Sequence, residues 1–466
     1  MKIVTLIFAT LLFGITTFPN PNAYAQTNSR FYAVAAPFNT IADEISFDAL
    51  KFFWQGDVNA LQPISNESKA LSITLDEETR GAMTALLGEP KNARIRVVNA
   101  SDVANTVWRE RNASLAILPF DKLDHRLKLL RVNGVNLFEK NANVSAYPLR
   151  ASGAPNRDPN KMLVVAMTGV TALVRGTAVK MEQKGVTYPA AKIRDWLRSA
   201  DIAHISNEVS FWDKCPKPSF LSGVVMCSDP KYIELLKDVG TDIIELTGNH
   251  LWDRGWQNLN TTIDVYESLG WEIVGGGRND KVALRPLKYD LYGNKIAFVG
   301  CNWFGNNWAT ETKPGSARCG SKSPRDLDLI TAEIRRLRGE GFLVIAMIQY
   351  GEFYTYNAPI QQQRDFNTLR DAGAIIVNGS QGHHAQGFAI NDKGFIHYGV
   401  GNLFFGDQSA LGARQTFVDR HVFYDGKYLG VDLRTAFILD SSQPVPMSET
   451  DRAKLLRTLF VVSVFE

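Results

Sequence analysis

The chain has 466 residues, of which 45% are hydrophobic and 21% charged, and its formal net charge is +3. That length accommodates two domains and that apolar share fills their cores, which excludes a disordered chain. A charge so close to balance gives no basis for a nucleic-acid partner.

Residues 1–25 have the form of a secretory signal, with Lys2, an apolar run from Ile3 through Phe13 to Phe18, and Ala23-Tyr24-Ala25 as the cleavage motif. The apolar run is short of a full membrane span, and no cysteine follows it to carry a lipid anchor. The chain is therefore expected to be exported, to the periplasm or the extracellular space. Residues 26–140 read as a small α/β domain, with strands over 31–35, 70–74, 93–98 and 114–118 and helices over 43–54, 75–87 and 101–109. His125 is expected at its surface. Residues 141–160, rich in Asn, Ala, Pro and Ser, read as a linker.

A larger domain follows over 161–440. Its strands are expected over 162–167, 202–205, 243–246, 271–274, 342–348 and 374–377, and its helices over 189–199, 231–239, 259–269, 327–337 and 360–371. A hairpin is expected about Gly293-Asn294, and from Gly387 onward further hairpins turn at Asp392-Lys393-Gly394 and Asp425-Gly426. Residues 441–466 read as a tail. Alternating βα units followed by antiparallel ribbons predict a layered α/β sandwich with a mixed sheet. Cys215, Cys227, Cys301 and Cys319 suit an oxidising compartment. They allow three pairings. Cys215 with Cys227 and Cys301 with Cys319 are favoured, since each would staple one Pro- and Gly-containing insertion; a zinc site is the rival, and no C-x-x-C spacing supports it.

Polar motifs end the strands of the larger domain. They are Gly169-Val170, Ser206-Asn207-Glu208, Gly248-Asn249-His250 with Asp253 and Gly255, Gln349-Tyr350-Gly351, Gly379-Ser380-Gln381-Gly382-His383, and Gly401-Asn402 with Phe404-Phe405. Strand ends of an open α/β sheet are where ligand sites sit. In order and spacing, over roughly residues 161–410, these motifs resemble the CapA family of capsule and poly-γ-glutamate synthesis proteins. The segment Leu115 to Gly134 resembles an amino-terminal module found ahead of some such domains and related to periplasmic binding proteins.

The resemblance implies a calcineurin-like metallophosphoesterase fold with C-terminal hairpins, and a role in making, exporting or attaching an anionic surface polymer, alongside membrane-bound synthesis proteins. In that fold, strand-end acids and imidazoles hold divalent ions. Here Val170 stands where the family has Asp, Gln349 where it has the first His of His-Trp-Gly, and Gln381 where it has the first His of His-Pro-His. The retained candidates are Glu208, Asn249, His250 and His383 as ligands of one divalent ion or of none, and His250 with Asp253 as the catalytic pair. Arg175, Asn207, Tyr354 and Asn402 are candidate substrate-binding residues. Glu352 reads as a solvated loop acid, and His384 as an imidazole that either backs the ligands or lies at the surface. Two alternatives to the polymer-synthesis reading stand beside it: a single-metal hydrolase of phosphoester or related bonds, and a polymer- or anion-binding protein without catalysis.

Overall fold

The computed structural model describes residues 28–67, 69–220, 223–319, 324–406 and 409–466. The signal sequence read over residues 1–25 lies outside them. The first sheet is built on strand Ser29–Pro37, which runs antiparallel to Ser114–Pro119 on one side and Leu127–Val132 on the other. Its small and β-branched residues are buried on both faces because helices cover them. Asp76 starts helix Glu77–Leu87 by accepting the Thr79 N–H at 2.7 Å, and Glu77 and Glu78 in the first turn complement the helix dipole. Helix Phe47–Trp54 starts later than the expected residue 43. Ser46 caps it, and Glu44–Ile45 pairs instead with the edge of the sheet.

Two further sheets lie face to face. In one, Met162–Thr168, Ile202–Asn207, Ile243–Glu245 and Glu272–Val274 run parallel, and Gln415–Tyr424 and Lys427–Leu439 extend it antiparallel. In the other, Asn294–Asn302, Leu343–Phe353, Ala374–Gly382 and Gly394–His397 run parallel. Leu163, Val165, Met167 and Ile243 from the first of these meet Phe298, Ile345, Met347 and Phe395 from the second in one core. Helices cover the outer faces, with Trp256–Ser268 contributing Leu259 and Ile263 on one side, and Ile360–Asp371 contributing Phe366 and Leu369 on the other. The molecule is an α/β protein in which Ile243–Glu245 of one sheet and Leu343–Phe353 and Ala374–Gly382 of the other bring their carboxyl ends together at one edge of the sandwich.

Several expectations need correction. The turn of the hairpin from Leu287–Leu291 to Asn294–Asn302 is Tyr292-Gly293, one residue early, with both φ angles positive (54° and 75°). The helix expected over 189–199 is split into Tyr188–Ala190 and Arg194–Arg198. Helix Arg175–Lys184 was not anticipated. Residues 141–160 are tied to the first sheet rather than left as a linker: Arg150–Ser152 pairs with its central strand, and Asn156 bonds both backbone groups of Phe31. Residues 441–466 are likewise no tail. Gln443–Pro446 pairs with Lys427–Leu439, helix Glu449–Val461 buries Leu455, Leu456 and Leu459, and Val464–Phe465 joins the edge of the third sheet. His125 is buried rather than exposed, with Nε2 2.9 Å from the Asn391 carbonyl.

The first sheet and the sandwich share their cores. Met162, Val164, Val422 and Tyr424 pack into the first sheet's cluster, while its Phe38 stacks edge-on against Phe388, Phe395 and Phe460 at 5.4, 5.6 and 6.0 Å. The disulfides are Cys215–Cys227 and Cys301–Cys319, as favoured, with Cα atoms 5.8 and 5.6 Å apart.

Candidate functional site

Two close approaches build the pocket. A Cβ on Gly169 would lie 1.9 Å from the Gly401 carbonyl, and one on Gly248 would lie 2.2 Å from the Glu208 Cα. Only glycine lets these strand ends press together, and so the side chains of Glu208, His250 and His383 face one another. Glu208 is 2% exposed, and its Oε2 has no hydrogen-bond partner. Burial pushes its carboxyl above the usual range, against the pull of His250 and His383, while Glu352 and Asp253 push the same way as burial.

Each imidazole is held by its Nδ1, which leaves Nε2 for a ligand. His250 Nδ1 lies 2.7 Å from Asp253 Oδ2, and that carboxylate also accepts the Met226 N–H at 2.7 Å. Burial presses His250 toward its neutral form. The Asp253 hydrogen bond and the negative charge of Glu208 and Asp253 outweigh it, and the imidazole stays above its ordinary value. His383 Nδ1 lies 2.8 Å from Asn402 Oδ1, whose own amide nitrogen donates to the Ala413 carbonyl. Asn402 therefore positions His383 instead of touching a substrate.

The amides form a separate, closed network. Gln349 Nε2 donates to Asn249 Oδ1 at 2.9 Å and to Gln381 Oε1 at 2.8 Å. Thr247 donates to Glu245 and more weakly to Gln349 Oε1, and Glu245 in turn meets His204 Nε2 at 3.0 Å, with both side chains fully buried. His204 and Glu245 thus join two parallel strands beneath the pocket.

Asn207 points away from the pocket: its amide nitrogen bonds the Val209 carbonyl and the Tyr266 hydroxyl. Tyr354 stacks on His383 with centroids 5.5 Å apart and donates to Glu352 at 2.5 Å. Glu352 is therefore a rim residue of the pocket, 3.9 Å from His383 Nε2, and not merely a solvated acid. Sequence gave no signal for this, because the contact depends on how the strand Leu343–Phe353 ends. Of the two places expected for His384, the surface is the one it does not take: it is buried against Tyr354 and Tyr356. Arg175 stands over Phe405, a ring that in turn packs against His383.

A two-ion centre does not fit these residues. Val170 brings no donor atom, and Gln349 places an N–H donor between the Asn249 and Gln381 oxygens, claiming a lone pair on each. Among the described residues, no three His, Cys, Asp or Glu side chains gather closely enough to hold an ion, the Glu208, His250 and His383 group included. What the pocket offers is a buried acid whose proton affinity is raised, beside two imidazoles held through their Nδ1 atoms. That arrangement can hold and move a proton.

Comparison with known proteins agrees with the motif order. The model of the bacterial capsule synthesis protein family PGA_cap matches residues 164–407, and the chain belongs to that family. A capsule biosynthesis protein CapA of Bacillus anthracis is 23% identical over 308 residues, covering 64% of this chain and 73% of its own. A PGA biosynthesis protein CapA of Bacillus subtilis is 25% identical over 177 residues, covering 37% of this chain and 45% of its own. Among solved structures, an ABC-type phosphate transport receptor from Vibrio cholerae aligns with 26% of this chain and 54% of its own at 14% identity. Its TM-score of 0.24 is too low to bear on the fold.

Proposed function

We propose that this protein acts in the biosynthesis or export of a capsule or poly-γ-glutamate type surface polymer, through a pocket descended from a metallophosphoesterase centre and no longer organised around two ions. The face-to-face sheets with helices outside support the metallophosphoesterase-type reading of the fold. Two disulfides support an exported protein, in the periplasm or outside the cell. An anionic polymer or its precursor is the ligand in this reading, with membrane-bound synthesis proteins as partners.

The observation that carries the proposal is Glu208, a buried carboxyl with an unpartnered oxygen. An acid left this way costs stability, and such a cost is kept where a site uses it. The test is polymer output in the producing cell. Glu208→Gln and His250→Ala, at normal protein levels, are expected to abolish surface polymer. Unchanged polymer in both variants would refute the reading. Metal analysis of the purified protein, with and without chelator, is expected to find no stoichiometric divalent ion.

A further inference from the structure

Near His250 lies a cavity of about 230 Å3, roofed by Pro216, Lys217, Gly223 and Val225 beside the Cys215–Cys227 disulfide. Its floor is apolar, with Leu173, Ala178 and Met226, and three cations line it: Arg175, Lys217 and Arg254. The two arginines reach the roof from different segments. Arg175 donates to the Gly223 carbonyl at 3.2 Å and Arg254 to the Val225 carbonyl at 3.3 Å. Arg254 also stands over the Trp212 ring, 5.5 Å from its centroid.

The acids nearby are already engaged. Asp229, the one acid in the lining, accepts the Lys231 N–H at 3.0 Å and lies 3.6 Å from its ammonium. Glu182, which feels the charge of Lys217, is bound by Lys231 and the Tyr232 hydroxyl. Asp253 is committed to His250 and Met226. Among the described residues, neither Lys217 nor Arg254 is ion-paired. The cavity adjoins His250: Met226 in its lining donates its N–H to the Asp253 carboxylate that holds His250, and the charge of Arg175 reaches that imidazole.

We propose that this cavity is an oxyanion subsite, in which Arg175, Lys217 and Arg254 hold a carboxylate or phosphate group of the ligand while the next part of that ligand lies against Glu208 and His250. The identity of the ligand rests on the polymer reading above; the subsite itself rests on the cations. Arginine and lysine side chains lining one cavity are the usual means of gripping such groups.

Calorimetric titration of the full, oxidised protein with inorganic phosphate and, separately, with glutarate tests it. Saturable binding of either is expected, and the tighter of the two identifies the oxyanion. Binding should weaken about tenfold in Lys217→Ala/Arg254→Ala, and likewise in the isosteric pair Lys217→Gln/Arg254→Gln. It should be restored in part by Arg254→Lys. No saturable binding of either anion, or equal affinity in the neutralised pairs, would overturn the subsite. Should anion binding follow the cations while polymer output survives Glu208→Gln, the subsite stands and the polymer reading falls.

Discussion

A carboxyl that is buried and unpartnered works against the fold that holds it. Glu208→Gln removes a group that resists ionisation in place, and is expected to stabilise the protein by about 1 kcal/mol at pH 7 while polymer output is lost. Chemical denaturation at that pH checks it. The pH dependence follows from two groups whose folded proton affinities are both raised, Glu208 and His250. Each contributes stability that is fully present below its unfolded pKa and is lost as pH rises through the folded value. For His250 the loss begins above its ordinary 6.5. Denaturation curves should therefore show stability falling in the window above about pH 6.5, and falling less in His250→Gln. A wild-type protein equally stable across that window would contradict the Asp253 pairing.

At the scale of the element, the strand ends depend on glycines that touch backbone. Gly169→Ala puts a methyl group 1.9 Å from the Gly401 carbonyl, which cannot be relieved by rotating a side chain. It is expected to cost about 3 kcal/mol or more, read as a lowered midpoint of thermal unfolding. The strands themselves were legible because Val, Ile and Ala runs such as Leu343 to Ile348 bury both faces and need no partner to be recognised. Helix Arg175–Lys184 was not, since it starts without a side-chain cap and buries little more than Ala178 and Met181 as apolar contacts. Helix Glu449–Val461 did carry a signal. Ser448 accepts the Asp451 N–H at 3.1 Å, and Leu455, Leu456 and Leu459 make one stripe. In the site, the glycine-flanked motifs at strand ends pointed to Glu208, His250 and His383, and both imidazoles do lie within electrostatic reach of Glu208. Glu352 and the directions of Asn207 and Asn402 could not, because they are fixed by packing between segments distant in sequence.

Taken whole, the molecule is welded rather than hinged. Phe38 and Trp108 of the amino-terminal unit lie in the core of the sandwich, and Met162 and Val422 lie in the core of the amino-terminal unit. Removing residues 449–466 would take Leu455, Leu456 and Leu459 out of the core, each worth about 2 kcal/mol of burial, and expose the apolar face they cover, so the truncated protein is expected to be insoluble or unfolded by circular dichroism. A soluble, cooperatively melting truncation would show that the segment only decorates the sheet edge. Cutting the chain between 141 and 160 should likewise yield an amino-terminal piece that aggregates, because Phe38 and Trp108 would face water.

The same weld has a kinetic side. The Trp108 indole bonds the Glu466 carbonyl across a separation of 358 residues, and Arg111 reaches the Phe465 carbonyl across 354. Contacts so far apart along the polypeptide cannot form while the chain is being made, so the first-synthesised sheet waits, unsealed, for a segment that arrives more than three hundred residues later. Such a chain seals the seam at Trp108 and Arg111 only once its last strand has been made.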